Sequence, residues 1–81
     1  MTYIATFFSH FGAIRFADLL KEQNVIARLQ PVPRNLSSSC GTSVQYEMAE
    51  PFPAGMVKDE IEQIFLVKKE NYEAIYRAEG L

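Results

Sequence analysis

The feature that most constrains the fold is a strand-like segment joined directly to a helix-like one, with a second strand-like segment close behind. Residues 3–8 are short, β-branched and aromatic, which is typical of a buried strand. Ser9 is a suitable N-cap, and Asn24 is a natural left-handed stop. Between them a helix is predicted over residues 10–23, because apolar residues recur at i, i+3, i+4 and i+7. These residues are Ala13, Phe16, Ala17 and Leu20. Residues 25–30 then form a second strand.

Two strands joined by one helix through short joints make a βαβ unit, whose crossover is almost always right-handed and whose strands are parallel. The carboxyl ends of parallel strands lie at the same edge of a sheet. We therefore predict that strands 3–8 and 25–30 are parallel neighbours. It follows that the helix start at His10 faces the loop after the second strand.

The second half of the chain predicts more strands. Residues 42–48 resume strand character, and residues 50–55 form a linker rich in proline and glycine. Residues 62–78 hold two strand-rich runs around a short polar loop, which predicts a hairpin. The apolar spacing also fits a helix over residues 57–69, which would give a ferredoxin-like βαββαβ fold. The preferred fold class is two-layer α+β: the βαβ unit, a third strand and a C-terminal hairpin.

Length and charge limit the classes of function. Eighty-one residues form one domain, 1–81, with a thin core that homodimerisation could extend. The net charge of −2 gives no reason to expect a nucleic-acid partner. Residues 1–41 carry four basic and two acidic side chains, whereas residues 42–81 carry four basic and eight acidic ones. The mildly basic first half suits a small anion.

Nothing in the sequence indicates export or membrane insertion. The first residues lack the basic start and the apolar stretch of a signal peptide. No apolar run approaches the ~18 residues that span a bilayer. We therefore expect a cytoplasmic protein with no membrane partner.

A loop rich in proline and serine follows the second predicted strand. Its two prolines, separated by one residue, favour an extended entry. The small polar residues that follow offer many backbone N–H groups, which can form an anion-binding nest, and an arginine adds a cation. The candidate site residues of this loop are Arg34, Ser37, Ser38, Ser39, Cys40 and Gly41.

Cys40 is the only cysteine, so the chain can form neither an internal disulfide nor a zinc site of its own. The thiolate is the reactive form of cysteine, and a helix N-terminus or a nearby cation stabilises it. His10, the only histidine, stands at the helix start as an accessory group. A thiolate, a persulfide or a selenium-bearing sulfur would be stabilised here without a metal or a cofactor. Because so small a domain lacks walls for an enclosed pocket, a carrier is favoured over an enzyme.

Each of these residues also has a plain structural interpretation. Cys40 can be a small buried hydrophobe, His10 a capping surface residue, and Arg34 a simple surface charge. Four aromatic residues are expected in the core: Phe7, Phe8, Phe11 and Phe16. Three acidic residues are expected in solvent: Asp59, Glu60 and Glu62.

The loop and its surroundings resemble a known family over nearly the whole chain. The resemblance lies in Pro31-Val32-Pro33-Arg34 followed by Ser37-Ser38-Ser39-Cys40-Gly41, with Thr6-Phe7 and His10 before an amphipathic helix. These motifs are similar to those of the small bacterial domains described as selenium/sulfur carrier protein-like, which are themselves likened to TusA/SirA-type sulfur carriers. The resemblance implies a role in selenium or sulfur metabolism, with Cys40 bearing a persulfide or selenosulfide. It also implies a desulfurase-like donor protein of sulfur or selenium, and an acceptor protein.

Two functions stay open on the sequence. In the first, Cys40 is a carrier thiol. In the second, the domain is a non-catalytic protein-interaction module in which Cys40 is structural. A polar, mobile loop with a reactive thiol favours the first, and a buried Cys40 beside an exposed apolar patch favours the second.

Overall fold

A computed structural model describes residues 1–80, and within them the fold is one α-helix, one 3₁₀ turn and a five-stranded antiparallel sheet. The elements are β1 (Thr2–Phe7), α1 (His10–Glu22), β2 (Ala27–Pro31), β3 (Thr42–Glu47), the 3₁₀ turn (Lys58–Glu60), β4 (Ile61–Val67) and β5 (Tyr72–Arg77). The strand order is β2-β3-β1-β4-β5. The predicted α+β class, beginning with a βαβ unit, is confirmed.

The two strands of the βαβ unit are not neighbours, so this part of the prediction is wrong. Strand β3 lies between them and pairs antiparallel with both, its Val44 facing Ala5 of β1 and Leu29 of β2. β1 and β2 therefore run in the same direction with one strand inserted. The insertion has a physical reason: β3 is largely buried, whereas β2 is mostly exposed and ends in Pro31, which lacks an N–H and suits an edge strand.

The helix follows its sequence pattern closely. The Ser9 side chain accepts a hydrogen bond from the Gly12 N–H at 3.2 Å, which makes it the predicted N-cap. Asn24 has a φ of 60°, the left-handed conformation expected beyond a helix end. Phe16 and Leu20 point into the core, where the Phe16 ring lies 5.2 Å from that of Tyr46. The helix covers the β2, β3 and β1 side of the sheet.

The rest of this layer comes from residues 49–60, which include the predicted linker of residues 50–55. The Tyr46 hydroxyl donates to the Pro51 carbonyl at 2.6 Å, and the Gln23 side-chain amide donates to the Ala54 carbonyl at 2.7 Å. The Phe52 ring packs edge-on against Tyr76 of β5, with centroids 6.1 Å apart. The segment is therefore a packed cover that extends the helical layer toward β5.

The C-terminal third is the predicted hairpin. Strands β4 and β5 pair antiparallel, and the Lys68 N–H donates to the Asn71 carbonyl at 2.8 Å in the connecting turn. The alternative helix over residues 57–69 is wrong, because only Lys58–Glu60 turns before the strand begins. β4 lies between β1 and β5, so pairing on both sides satisfies its backbone. Among residues 1–80 there is no helix with the length and hydropathy of a transmembrane span.

The predicted aromatic core is half right. Phe7 and Phe16 are buried, with ring centroids 5.3 Å apart, but Phe8 is 41% exposed and Phe11 is 63% exposed. Phe8 lies beyond the end of β1, and Phe11 lies on the outer side of the first helical turn, where Arg15 sits 5.6 Å from its ring centroid.

The burial pattern of α1 predicts the effect of truncating its side chains. We expect Leu20→Ala to lower the free energy of unfolding by about 2–5 kcal/mol, because Leu20 is fully buried and its loss leaves a cavity. Ile14→Ala is the matched control, since Ile14 lies on the same helix but is 36% exposed. Its effect should stay below about 1 kcal/mol in urea unfolding. Equal losses for the two variants would contradict this packing of the helix.

Tyr46 predicts a loss of stability at alkaline pH. Burial raises the pKa of the Tyr46 phenol well above its usual range, and the neighbouring Tyr3 phenol adds to the shift. A tyrosine of the unfolded chain ionises near ~10, so the unfolded state gains from ionisation before the folded state does. The contribution of Tyr46 to stability is therefore complete below about pH 10 and falls by about 1.4 kcal/mol per pH unit above it.

Tyr46→Phe tests this linkage. At neutral pH it should cost about 1 kcal/mol through the lost hydrogen bond to Pro51. The stability advantage of the wild type should then shrink as pH rises beyond about 10, as measured by urea unfolding of both proteins. Parallel stability curves across that range would show that Tyr46 is not protected from ionisation.

Candidate functional site

The helix start and the loop between β2 and β3 both lie at one edge of the sheet, here called the carboxyl edge. Strands β1, β2 and β5 end there, and β3 and β4 begin there, as the register pairs Phe7 with Ile61, Pro31 with Thr42 and Arg77 with Gln63. The helix start lies at the same edge, where the His10 Nδ1 is 3.0 Å from the Thr42 Oγ1. The predicted proximity of the helix start and the loop is confirmed, even though β3 separates the two strands.

The loop between β2 and β3, residues 32–41, is closed at its base and turned at its tip. The Val32 N–H donates to the Gly41 carbonyl at 3.1 Å, which extends the strand pairing into the loop. The Leu36 N–H donates to the Pro33 carbonyl at 2.9 Å and closes a turn around the intervening residues. Gly41 has a φ of 76°, a conformation that favours glycine just before β3 begins.

Ser38 ties the loop to the end of β1. Its hydroxyl donates to the Phe7 carbonyl at 3.1 Å and accepts a hydrogen bond from the Cys40 N–H at 3.4 Å. A single side chain thus joins the central strand to the backbone of the candidate thiol residue. The hydrogen bond from Ser38 to the Phe7 carbonyl is possible because the carboxyl end of β1 and the loop lie at the same edge.

Ser39 ties the same loop to β4 through a glutamate. The Ser39 N–H donates to one carboxylate oxygen of Glu62 at 3.2 Å, and its hydroxyl donates to the other at 2.5 Å. Glu62 is only 5% exposed, so the expectation that it lies in solvent is wrong. Glu62 thus contacts the candidate site, and the sequence analysis missed it.

A β-bulge explains why this glutamate faces the loop. The register between β1 and β4 pairs Thr6 with Gln63 but Phe7 with Ile61, which leaves Glu62 as the extra residue. A bulge breaks the alternation of side chains and can redirect one of them. The Glu62 carbonyl also accepts a hydrogen bond from the Ala78 N–H at 2.9 Å, which holds the bulge against the end of β5.

Cys40 is a free thiol that is half-buried within the loop. Its Sγ lies 3.5 Å from the Thr42 carbonyl, to which it donates, and 3.9 Å from the Ser38 hydroxyl. The side chain also packs against the hydrophobic core. The thiol is thus sheltered among neutral oxygens and apolar neighbours, within reach of the loop surface.

The two arginines near this edge have different surroundings. Arg34 is exposed in the turn of the loop and forms no ion pair within residues 1–80. Arg77, at the end of β5, lines a shallow depression beside the serines. The other residues lining this depression are Ser37, Ser38, Ser39, Glu62 and Gln63. No cluster of three or more histidine, cysteine, aspartate or glutamate side chains suited to a metal occurs in the described part of the chain.

Comparison with known proteins adds the family. Neither the curated proteins nor the solved structures gave a match to this chain. A family model described as "Putative Se/S carrier protein-like" matches residues 2–77, which include the whole sheet, the helix and the loop with Cys40. The resemblance seen in the loop motifs is therefore confirmed, and the chain belongs to this Se/S carrier protein-like family.

Proposed function

We propose that the protein carries sulfur or selenium on Cys40 between a desulfurase-like donor protein and an acceptor protein. The observation that carries the proposal is the placement of the only thiol, which is half-buried in a hydrogen-bonded loop at the carboxyl edge. The chain also belongs to a carrier protein-like family. The donor and the acceptor would meet the protein in the cytoplasm, where thiols are kept reduced. The transfer needs no metal or cofactor.

The sulfur transfer balances without an outside oxidant or reductant. The Cys40 thiolate attacks the outer sulfur of a donor persulfide, a new S–S bond forms, and the bond within the donor breaks. The electron pair of that bond leaves with the donor thiolate. An acceptor nucleophile then takes the outer sulfur and returns Cys40 as a thiolate. A donor selenosulfide would deliver selenium through the same steps.

The loop offers a physical basis for holding the loaded anion. In the resting state the thiol of Cys40 donates to the Thr42 carbonyl, an oxygen that can accept from a thiol but repels a thiolate. Ionisation or loading therefore favours a rotation of the sulfur toward hydrogen-bond donors. The Ser38 hydroxyl, 3.9 Å away, can donate to the sulfur once it turns from the Phe7 carbonyl. The Arg34 guanidinium in the same loop, which forms no ion pair within residues 1–80, adds a positive charge.

The second candidate, a non-catalytic interaction module, also has an observation in its favour. Phe8 and Phe11 are exposed beside the helix start, and Cys40 packs partly against the core. Exposed aromatic residues are typical of protein-binding surfaces. The module requires only the surface, whereas the carrier requires the thiol, so loading of Cys40 separates the two.

Loading of Cys40 is tested by intact-mass analysis after incubation with a cysteine desulfurase and cysteine. We expect the wild type to gain the mass of one sulfur atom, with loss of the gain on reduction. Cys40→Ser should gain nothing. The matched control is Cys40→Ser combined with Ala49→Cys, which moves the thiol to an exposed position at the opposite edge of the sheet.

The control tests whether the loop matters or any thiol suffices. The relocated thiol should load far more slowly than Cys40 because it lacks the loop. Equal loading of the two thiols would contradict a specific carrier role. A wild type that stays unloaded under conditions that load an established carrier would favour the interaction module.

The proposed role of Arg34 predicts a modest electrostatic effect on loading. Arg34→Gln should slow loading from an anionic persulfide donor roughly two- to fivefold and weaken its salt dependence, because an exposed charge acts through screened attraction. Arg28→Gln is the matched control, since Arg28 is an exposed arginine of the adjoining strand β2. Equal slowing by both variants would assign the effect to net charge rather than to Arg34.

A further inference from the structure

Glu62 is a nearly buried carboxylate that the proposed sulfur transfer does not use. It is 5% exposed, and the β-bulge at the start of β4 directs it toward the loop. Both of its carboxylate oxygens accept hydrogen bonds from Ser39, one from the backbone N–H and one from the hydroxyl. It is the one charged residue among the buried residues of the described chain.

Within residues 1–80, the hydrogen bonds to the Glu62 carboxylate come from this one serine. No basic side chain of residues 1–80 forms an ion pair with it, although Arg77 lines the same depression. Removing an ionised carboxylate from water is costly unless hydrogen bonds compensate. Ser39 supplies that compensation twice, so the position of the serine and the burial of the glutamate depend on each other.

This pairing determines the backbone immediately before Cys40. Ser38 is held on β1 through the Phe7 carbonyl, and Ser39 is held on β4 through Glu62. Two successive residues are thus attached to two adjacent strands. With its backbone N–H bonded to Ser38 as well, Cys40 has its sulfur turned inward to the Thr42 carbonyl.

We propose that Glu62 is a positioning residue for Cys40, which holds the loop in a conformation that shelters the thiol. Release of Ser39 from the carboxylate frees the loop and lets the sulfur turn outward to a partner protein. The functional value of this role rests on the proposed carrier function. The sheltering of the Cys40 thiol, however, is a property of the unloaded protein. It is therefore measurable without any sulfur transfer.

The test is the rate at which iodoacetamide alkylates Cys40 in the native, unloaded protein. We expect Glu62→Ala to raise this rate on the order of tenfold, since it removes charge-assisted hydrogen bonds that hold the loop closed. The Ser39 amide should also exchange its hydrogen faster. Ser39→Ala removes only the hydroxyl contact and should give a smaller increase in the alkylation rate, and because Ser39 is exposed it keeps the test available if Glu62→Ala does not fold.

Two further variants separate positioning from general destabilisation. Glu60→Ala removes the same charge two residues away, where the carboxylate pairs with Arg15 at 3.7 Å, and should leave the alkylation rate of Cys40 unchanged. Glu62→Gln keeps the shape and one acceptor oxygen, and should restore most of the protection.

The outcomes are distinct for this inference and for the carrier function. An alkylation rate that is unchanged in both Glu62→Ala and Ser39→Ala would overturn the positioning role. So would an equal rise in Glu60→Ala. Failure of the wild type to load sulfur would overturn the carrier function alone, because the alkylation and exchange measurements need no loading.

Discussion

The end of β1 is the point to which the carboxyl edge is attached. β1 is paired on both sides, with β3 and β4, and its core-facing side chains are buried. Within three residues of its end, the Phe7 carbonyl accepts from Ser38, the Phe8 N–H donates to the Glu60 carbonyl, and Ser9 caps the helix. The loop, the bulged strand and the helix start are thus all attached to the same short backbone segment at the end of β1. A site built on such a segment can be precise although the domain is small.

The placement of Cys40 reconciles its structural and functional interpretations. The side chain packs against the core, as the structural interpretation expects, and yet it belongs to a polar loop at the edge of the sheet. Both properties are useful in the proposed carrier role. A thiol that is sheltered at rest is protected from general oxidation, whereas a loop held by a few side-chain hydrogen bonds can release it to a partner.

Features encoded locally were predictable from the sequence. Ser9 and Asn24 bound the helix as expected, because capping and left-handed backbone depend on one or two residues. The hairpin of β4 and β5 was predictable from its composition and its short turn. The common edge of the loop and the helix start followed from strand direction, which holds whether or not another strand lies between β1 and β2.

Features that depend on strand pairing were not predictable from a single sequence. The insertion of β3 between β2 and β1 depends on which strands pair best with each other, and the residue pattern of each segment does not show this. Phe11 is a different case: it was expected in the core because it is aromatic, but it lies two residues before Ala13, on the other side of the helix from the apolar stripe, and is exposed. Glu62 looked like one charge in an acidic run, because its direction depends on a register shift between two strands far apart in sequence.

The bulge at Glu62 makes the site depend on the length of a strand as well as on the identity of a side chain. Deleting one residue of β4 before Gln63 would restore a regular alternation with β1, and the glutamate would lose its direction toward Ser39. Insertions and deletions at this point are therefore expected to be tolerated less well than substitutions of exposed neighbours. Shortening this strand to make its pairing regular would therefore remove the support of the loop that holds Cys40.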